Sequence, residues 1–107
     1  MADPNNPIRN DDIHYEDRGG CFVLIDPSRP EGRMDVASAW QEDTGIWRWR
    51  LDARNHDGLP YPSADNRDAA LSGMLRDYAH GNDDVTSRLS GQMTRHSFGM
   101  PQIVKAA

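Results

Sequence analysis

Arg48 and Arg50 stand two positions apart in the run Ile46-Trp47-Arg48-Trp49-Arg50-Leu51 of this 107-residue chain. Residues i and i+2 of a strand share a face, so the two guanidiniums are predicted to project together. Arg54 follows near the end of the same run. A planar guanidinium can grip a carboxylate or phosphate with two hydrogen bonds and can stack on a ring or base. Asp35, Asp52 and other acids offer the same arginines ordinary ion pairs within the chain. A second candidate contact set is acidic: Asp65 and Asp68, at the start of a predicted helix, suit a partner with a basic groove.

No catalytic or metal constellation accompanies these residues. His14, His56, His80 and His96 lack the short spacings of metal ligands. His56 falls in a turn beside Asp57, and His80 at a helix end. Ser63, Ser72, Ser90 and Ser97 have no Gly-x-Ser-x-Gly setting. Neither a Gly-x-x-x-x-Gly-Lys phosphate loop nor a Gly-x-Gly-x-x-Gly fingerprint occurs. Asp11-Asp12 and Asp83-Asp84 are adjacent acids whose side chains diverge, so neither makes a carboxylate dyad. The single cysteine, Cys21, lies in an apolar run and has no internal disulfide partner. The expectation is a protein that is not an enzyme and carries no cofactor or metal.

The elements that would position the arginines follow from periodicity and turn chemistry. A first strand is predicted near Gly20–Asp26, on the apolar run Cys21-Phe22-Val23-Leu24-Ile25. A second is predicted near 33–41 and a third near 46–53, joined at Asp43-Thr44-Gly45. A two-residue loop puts Trp40 opposite Trp47 or Trp49 and gathers all three indoles on one face. A three-residue loop with Gly45 left-handed puts Trp40 opposite Arg48 and splits them. The first arrangement is preferred because it unites Met34 and Val36 with the tryptophans. Asn55-His56-Asp57-Gly58 reads as a turn, and Leu59-Pro60-Tyr61-Pro62 as extended chain.

A helix is predicted over about 64–80, with Ser63 as its N-cap and Gly81 just past its end. Ala70, Leu71, Met74, Leu75 and Tyr78 form its apolar stripe. A shorter helix from Asp84 to about Arg95 carries Val85, Leu89 and Met93, with an irregular tail from His96. The fold class is therefore α+β: a three-stranded antiparallel meander packed against one main helix, with a second short C-terminal helix. Residues 1–17 are predicted to be an acidic disordered arm with Ile13 and Tyr15 as its anchors, 18–82 the α+β core, and 83–107 a basic C-terminal segment.

Charge is the strongest compositional constraint. The formal net charge is −5. Residues 1–17 and 18–84 each carry −4, and 85–107 carries +3. Eleven of the twelve basic residues are Arg. Nucleic-acid affinity rests on neutralising phosphates, so an acidic chain is disfavoured as a strong nucleic-acid binder. Nothing resembles a signal peptide or a membrane span, which points to the cytoplasm and away from membranes.

Small size, acidity and Arg bias resemble the accessory proteins of phages and plasmids. That resemblance implies an inhibitor of a host protein concerned with defence or nucleic-acid handling. The expected function is a small acidic binding protein acting by protein-protein contact. The alternative is a nucleic-acid-binding module using the Arg-lined sheet face.

Overall fold

The hairpin around Asp43-Thr44-Gly45 forms, and its loop length sets the arrangement around it. The computed structural model describes residues 12–29, 35–52, 60–95 and 103–105. Its strands are β1 (His14–Asp17), β2 (Cys21–Ile25), β3 (Asp35–Gln41), β4 (Trp47–Leu51), β5 (Ser63–Ala64) and β6 (Ile103–Lys105). Its helices are α1 (Arg67–Ala79) and α2 (Asp83–Arg95). The strands form one sheet in the order β5-β4-β3-β2-β1-β6. Neighbours are antiparallel except β1 and β6, which run parallel. The α+β class stands. The predicted three-stranded meander is the centre, β2-β3-β4, of this larger mixed sheet.

The β3–β4 register overturns the preferred placement of the tryptophans. Gly45 N donates to Glu42 O at 2.9 Å and Glu42 N to Ile46 O at 2.8 Å. Gly45 sits at φ +91°, a conformation only glycine adopts at little cost. The loop thus has three residues, and Trp40 pairs with Arg48, Ala39 with Trp49, and Gln41 with Trp47. Trp47 and Trp49 face the helices, whereas Trp40 joins Arg48 and Arg50 on the outer face. A bulge between Leu24 and Ile25 shifts the β2–β3 register, so that Ile25 pairs with Asp35.

Strands the composition hid lie in both end segments. His14–Asp17, inside the predicted arm, forms β1 with Ile13 and Tyr15 buried. Ile103–Lys105, inside the predicted irregular tail, forms β6. Residues 1–11 and 96–102 lie outside the described residues, as does the predicted Asn55–Gly58 turn. Helix α1 starts later than expected. Its N-cap is Asn66, whose side chain accepts from Ala69 N at 2.9 Å, while Ser63 belongs to β5.

The core lies between the sheet and the helices. Leu24 and Tyr15 from the sheet meet Leu71, Met74 and Leu75 of α1 and Val85 and Leu89 of α2. Ala37 and Ala39 are small floor positions beneath this layer, and Trp49 fills the space beside them. The Trp49 ring packs directly against Gly73. A Cβ at Gly73 would stand 2.6 and 2.7 Å from Cζ2 and Cη2 of that ring. Trp49 Nε1 donates to Asp77 Oδ2 at 2.9 Å, and Tyr15 Oη to Leu71 O at 2.9 Å. On α2, Gln92 acts as a strand surrogate. Its amide accepts from Ile13 N at 2.9 Å and donates to Ile13 O at 2.5 Å.

Candidate functional site

The outer sheet face gathers aromatic and basic side chains from three elements. Strand β3 supplies Trp40, β4 supplies Arg48 and Arg50, and the extended segment before β5 supplies Tyr61. Trp40 and Tyr61 meet edge to face, with centroids 5.2 Å apart and planes at 85°. Such pairs add about 0.5–1.5 kcal/mol beyond burial. Arg48 ties down the Tyr61 backbone: its Nη1 donates to Tyr61 O at 2.9 Å, and its Nε to Glu42 Oε1 at 2.9 Å. Arg50 is freer. Its ion pair with Asp52 is long, at 3.9 Å, and both side chains are nearly half exposed. Tyr61 at 38% and Ile46 at 37% remain exposed at the margin.

The predicted contact residues do not all converge. Arg48 and Arg50 share the outer face as the strand period required. Arg54 lies outside the described residues. Asp65 is exposed between β5 and α1, and Asp68 occupies the first turn of α1, where it pairs with Arg67 at 3.3 Å. The acidic pair thus sits at a helix N-terminus, separate from the arginine face, although Ser63 of β5 pairs directly with Arg48.

A buried polar cluster joins three elements on the helix side. Asp26, at the end of β2, is fully buried. Arg88 of α2 forks onto it, with Nη1–Oδ1 and Nη2–Oδ2 both 2.8 Å. The Tyr78 hydroxyl of α1 donates to Asp26 Oδ2, and Arg29 Nε donates to that hydroxyl at 2.7 Å. Ser28 adds its amide at 3.1 Å and its hydroxyl at 2.8 Å to Oδ1. Burial alone would raise the Asp26 carboxyl, but the bonds from Arg88, Tyr78 and Ser28 outweigh it. They hold the carboxyl well below the usual carboxylate range. Burial, then the bond to Asp26, pushes the Tyr78 hydroxyl up to about 12. The bond to Asp26 likewise raises the Arg88 guanidinium. Every named group is paired, so the cluster acts as a clasp between the β2 end and both helices.

Sequence reasoning missed this clasp. Its one local signal was the Asp26-Pro27-Ser28 turn, in which an Asp side chain bonds an amide two residues on. Tyr78 and Arg88, respectively 52 and 62 residues away, gave no sign of their partner. Trp40 stands on the face opposite Trp47 and Trp49, against the preferred register, because strand parity alone does not say which face a loop presents. Among the described residues, no group of three His, Cys, Asp or Glu side chains is placed to hold a metal. No described helix is long and apolar enough to cross a membrane.

No protein-family model matches the chain, and no solved structure matches it significantly. The chain is similar to part of a malformin synthetase from Aspergillus homomorphus, at 33% identity over 90 aligned residues. The match covers 74% of this chain but 2% of the synthetase. A likeness confined to so small a part of a much longer protein defines no family for the chain.

Proposed function

We propose that this chain is a small acidic binding protein that acts by protein-protein contact through its outer sheet face. The observation that carries this reading is the position of Trp40. A tryptophan that the strand period could have buried stands instead beside Tyr61, Arg48 and Arg50. Trp, Tyr and Arg are the residues most enriched at binding hot spots. Asp65 and Asp68 supply a separate acidic edge suited to a basic groove on the partner, with fast, salt-sensitive association. Within this reading the partner is a host protein, as for phage- and plasmid-type inhibitors that work in the cytoplasm by occupying a surface.

The test is capture of partners with the wild-type protein, Trp40→Ala and Arg50→Ala in parallel. A specific partner is retained by the wild type at low salt and lost by both variants. Equal retention by all three would reject the outer face as the contact site.

The same face favours one other reading. Aromatic and Arg side chains on an open sheet face suit stacking with single-stranded nucleic acid, although the net charge opposes it. A gel shift with single- and double-stranded probes discriminates. Binding that falls when Arg48 and Arg50 are both changed to Ala favours this reading. No shift at micromolar protein and low salt rejects it.

A further inference from the structure

On the opposite side of the molecule from the outer sheet face, α1 and α2 leave an open cleft of about 310 Å³ between them. Leu75 and Ala79 of α1 and Leu89 of α2 line it. Leu75 and Leu89 are themselves buried, so the cleft is seated on the core and not on mobile surface side chains. Thr86 and Ser90 border it on α2. The Thr86 hydroxyl is already committed, donating to Asn82 O at 3.2 Å. Arg76 is the charged residue of the lining, and its side chain is exposed. It forms no ion pair with any described residue, unlike Arg18, Arg29, Arg48, Arg50, Arg67 and Arg88.

We propose that this cleft binds a small amphipathic anion, with its apolar body on Leu75, Ala79 and Leu89 and its anionic head on Arg76. Ligand sites are mostly apolar concavities with a few polar groups that fix orientation. An apolar wall with one guanidinium that has no ion pair among the described residues defines that chemistry. A carboxylate matches the guanidinium fork. At the roughly 30 Å³ that a water molecule occupies in the liquid, the volume accepts about ten non-hydrogen atoms. Octanoate has that size and both features, and octanol and octylammonium differ from it only in the head. The site is independent of the outer-face reading, since it uses neither the tryptophans nor the sheet.

The experiment is titration of the isotope-labelled full chain with octanoate, octanol and octylammonium, followed by amide chemical shifts. Octanoate is expected to give saturable shifts centred on α1 and α2, with octanol at least tenfold weaker and octylammonium weaker still. Arg76→Gln should weaken octanoate about tenfold and leave octanol unchanged. Ser90→Trp, which fills the cleft from an exposed position, should abolish octanoate shifts while the circular dichroism stays that of the wild type. No saturable shifts on α1 and α2 would overturn the proposal. So would equal binding of the three probes, or octanoate binding indifferent to Arg76→Gln. Should Ser90→Trp fail to fold, the head-group series and Arg76→Gln decide the matter.

Discussion

Changing Asp26 to Asn should cost about 3 kcal/mol of folding stability at pH 7. The substitution keeps the shape and removes the charge. It also turns an acceptor atom into an NH2 donor, aimed at either the Arg88 fork or the Tyr78 hydroxyl. Removing one partner of a buried ion pair costs about 3–5 kcal/mol, because the other charge is left uncompensated. Arg88 is 30% exposed, and water can compensate part of its loss. That places the expectation at the low end of the range. The sign of the pH dependence follows from the depressed carboxyl. The unfolded carboxyl titrates near 3.9, and the folded one lies lower. The extra stability is fully present above the unfolded value and is lost as pH falls toward the folded one. The gap between wild type and Asp26→Asn in urea denaturation should therefore shrink below about pH 4. A cost under about 1 kcal/mol at pH 7, or a gap unchanged at pH 3, would refute the view of the clasp as a net stabiliser.

Other perturbations test the packing and the contact face. Gly73→Ala gains about 1 kcal/mol of helix propensity but drives a methyl into the Trp49 ring, at a cost of about 1–3 kcal/mol. A net loss of about 1 kcal/mol is expected in thermal or urea melts, and it should vanish in a Trp49→Phe background with its smaller ring. Trp49→Ala should cost about 3–5 kcal/mol, and the half-buried Trp47 less. Arg50→Ala should stay within about 1 kcal/mol, since its pairing is long and exposed. A reverse ranking in melts would invert the faces. At alkaline pH, the Tyr78 hydroxyl, raised to about 12, and that of Tyr15, raised further by burial, contribute stability that is lost as pH climbs above the unfolded value near 10. Tyr15→Phe should lower stability at pH 7 yet flatten the alkaline decline in denaturant melts.

Local chemistry made much of the frame legible in the chain. The apolar run at Cys21–Ile25, the alternation in Trp47–Leu51 and the stripe from Ala70 to Tyr78 each encode one element through its own period. The same alternation put Arg48 and Arg50 together. β1 and β6 escaped notice because they are short and held by backbone pairing, which composition does not record. The N-cap moved from Ser63 to Asn66 because β5 pairing claimed Ser63 first. The sequence placed Asp26 at the end of the first strand and named no partner for it, because Tyr78 and Arg88 reach it from 52 and 62 residues away.

The sequence by itself determined which side chains of a strand travel together. Tertiary structure decided which of those sets meet. A strand period of two fixes parity within a strand, but one residue more or less in the connecting loop reverses the face its neighbour shows. Gly45, by taking a positive φ, admitted the three-residue loop and turned Trp40 outward to stand with the arginines.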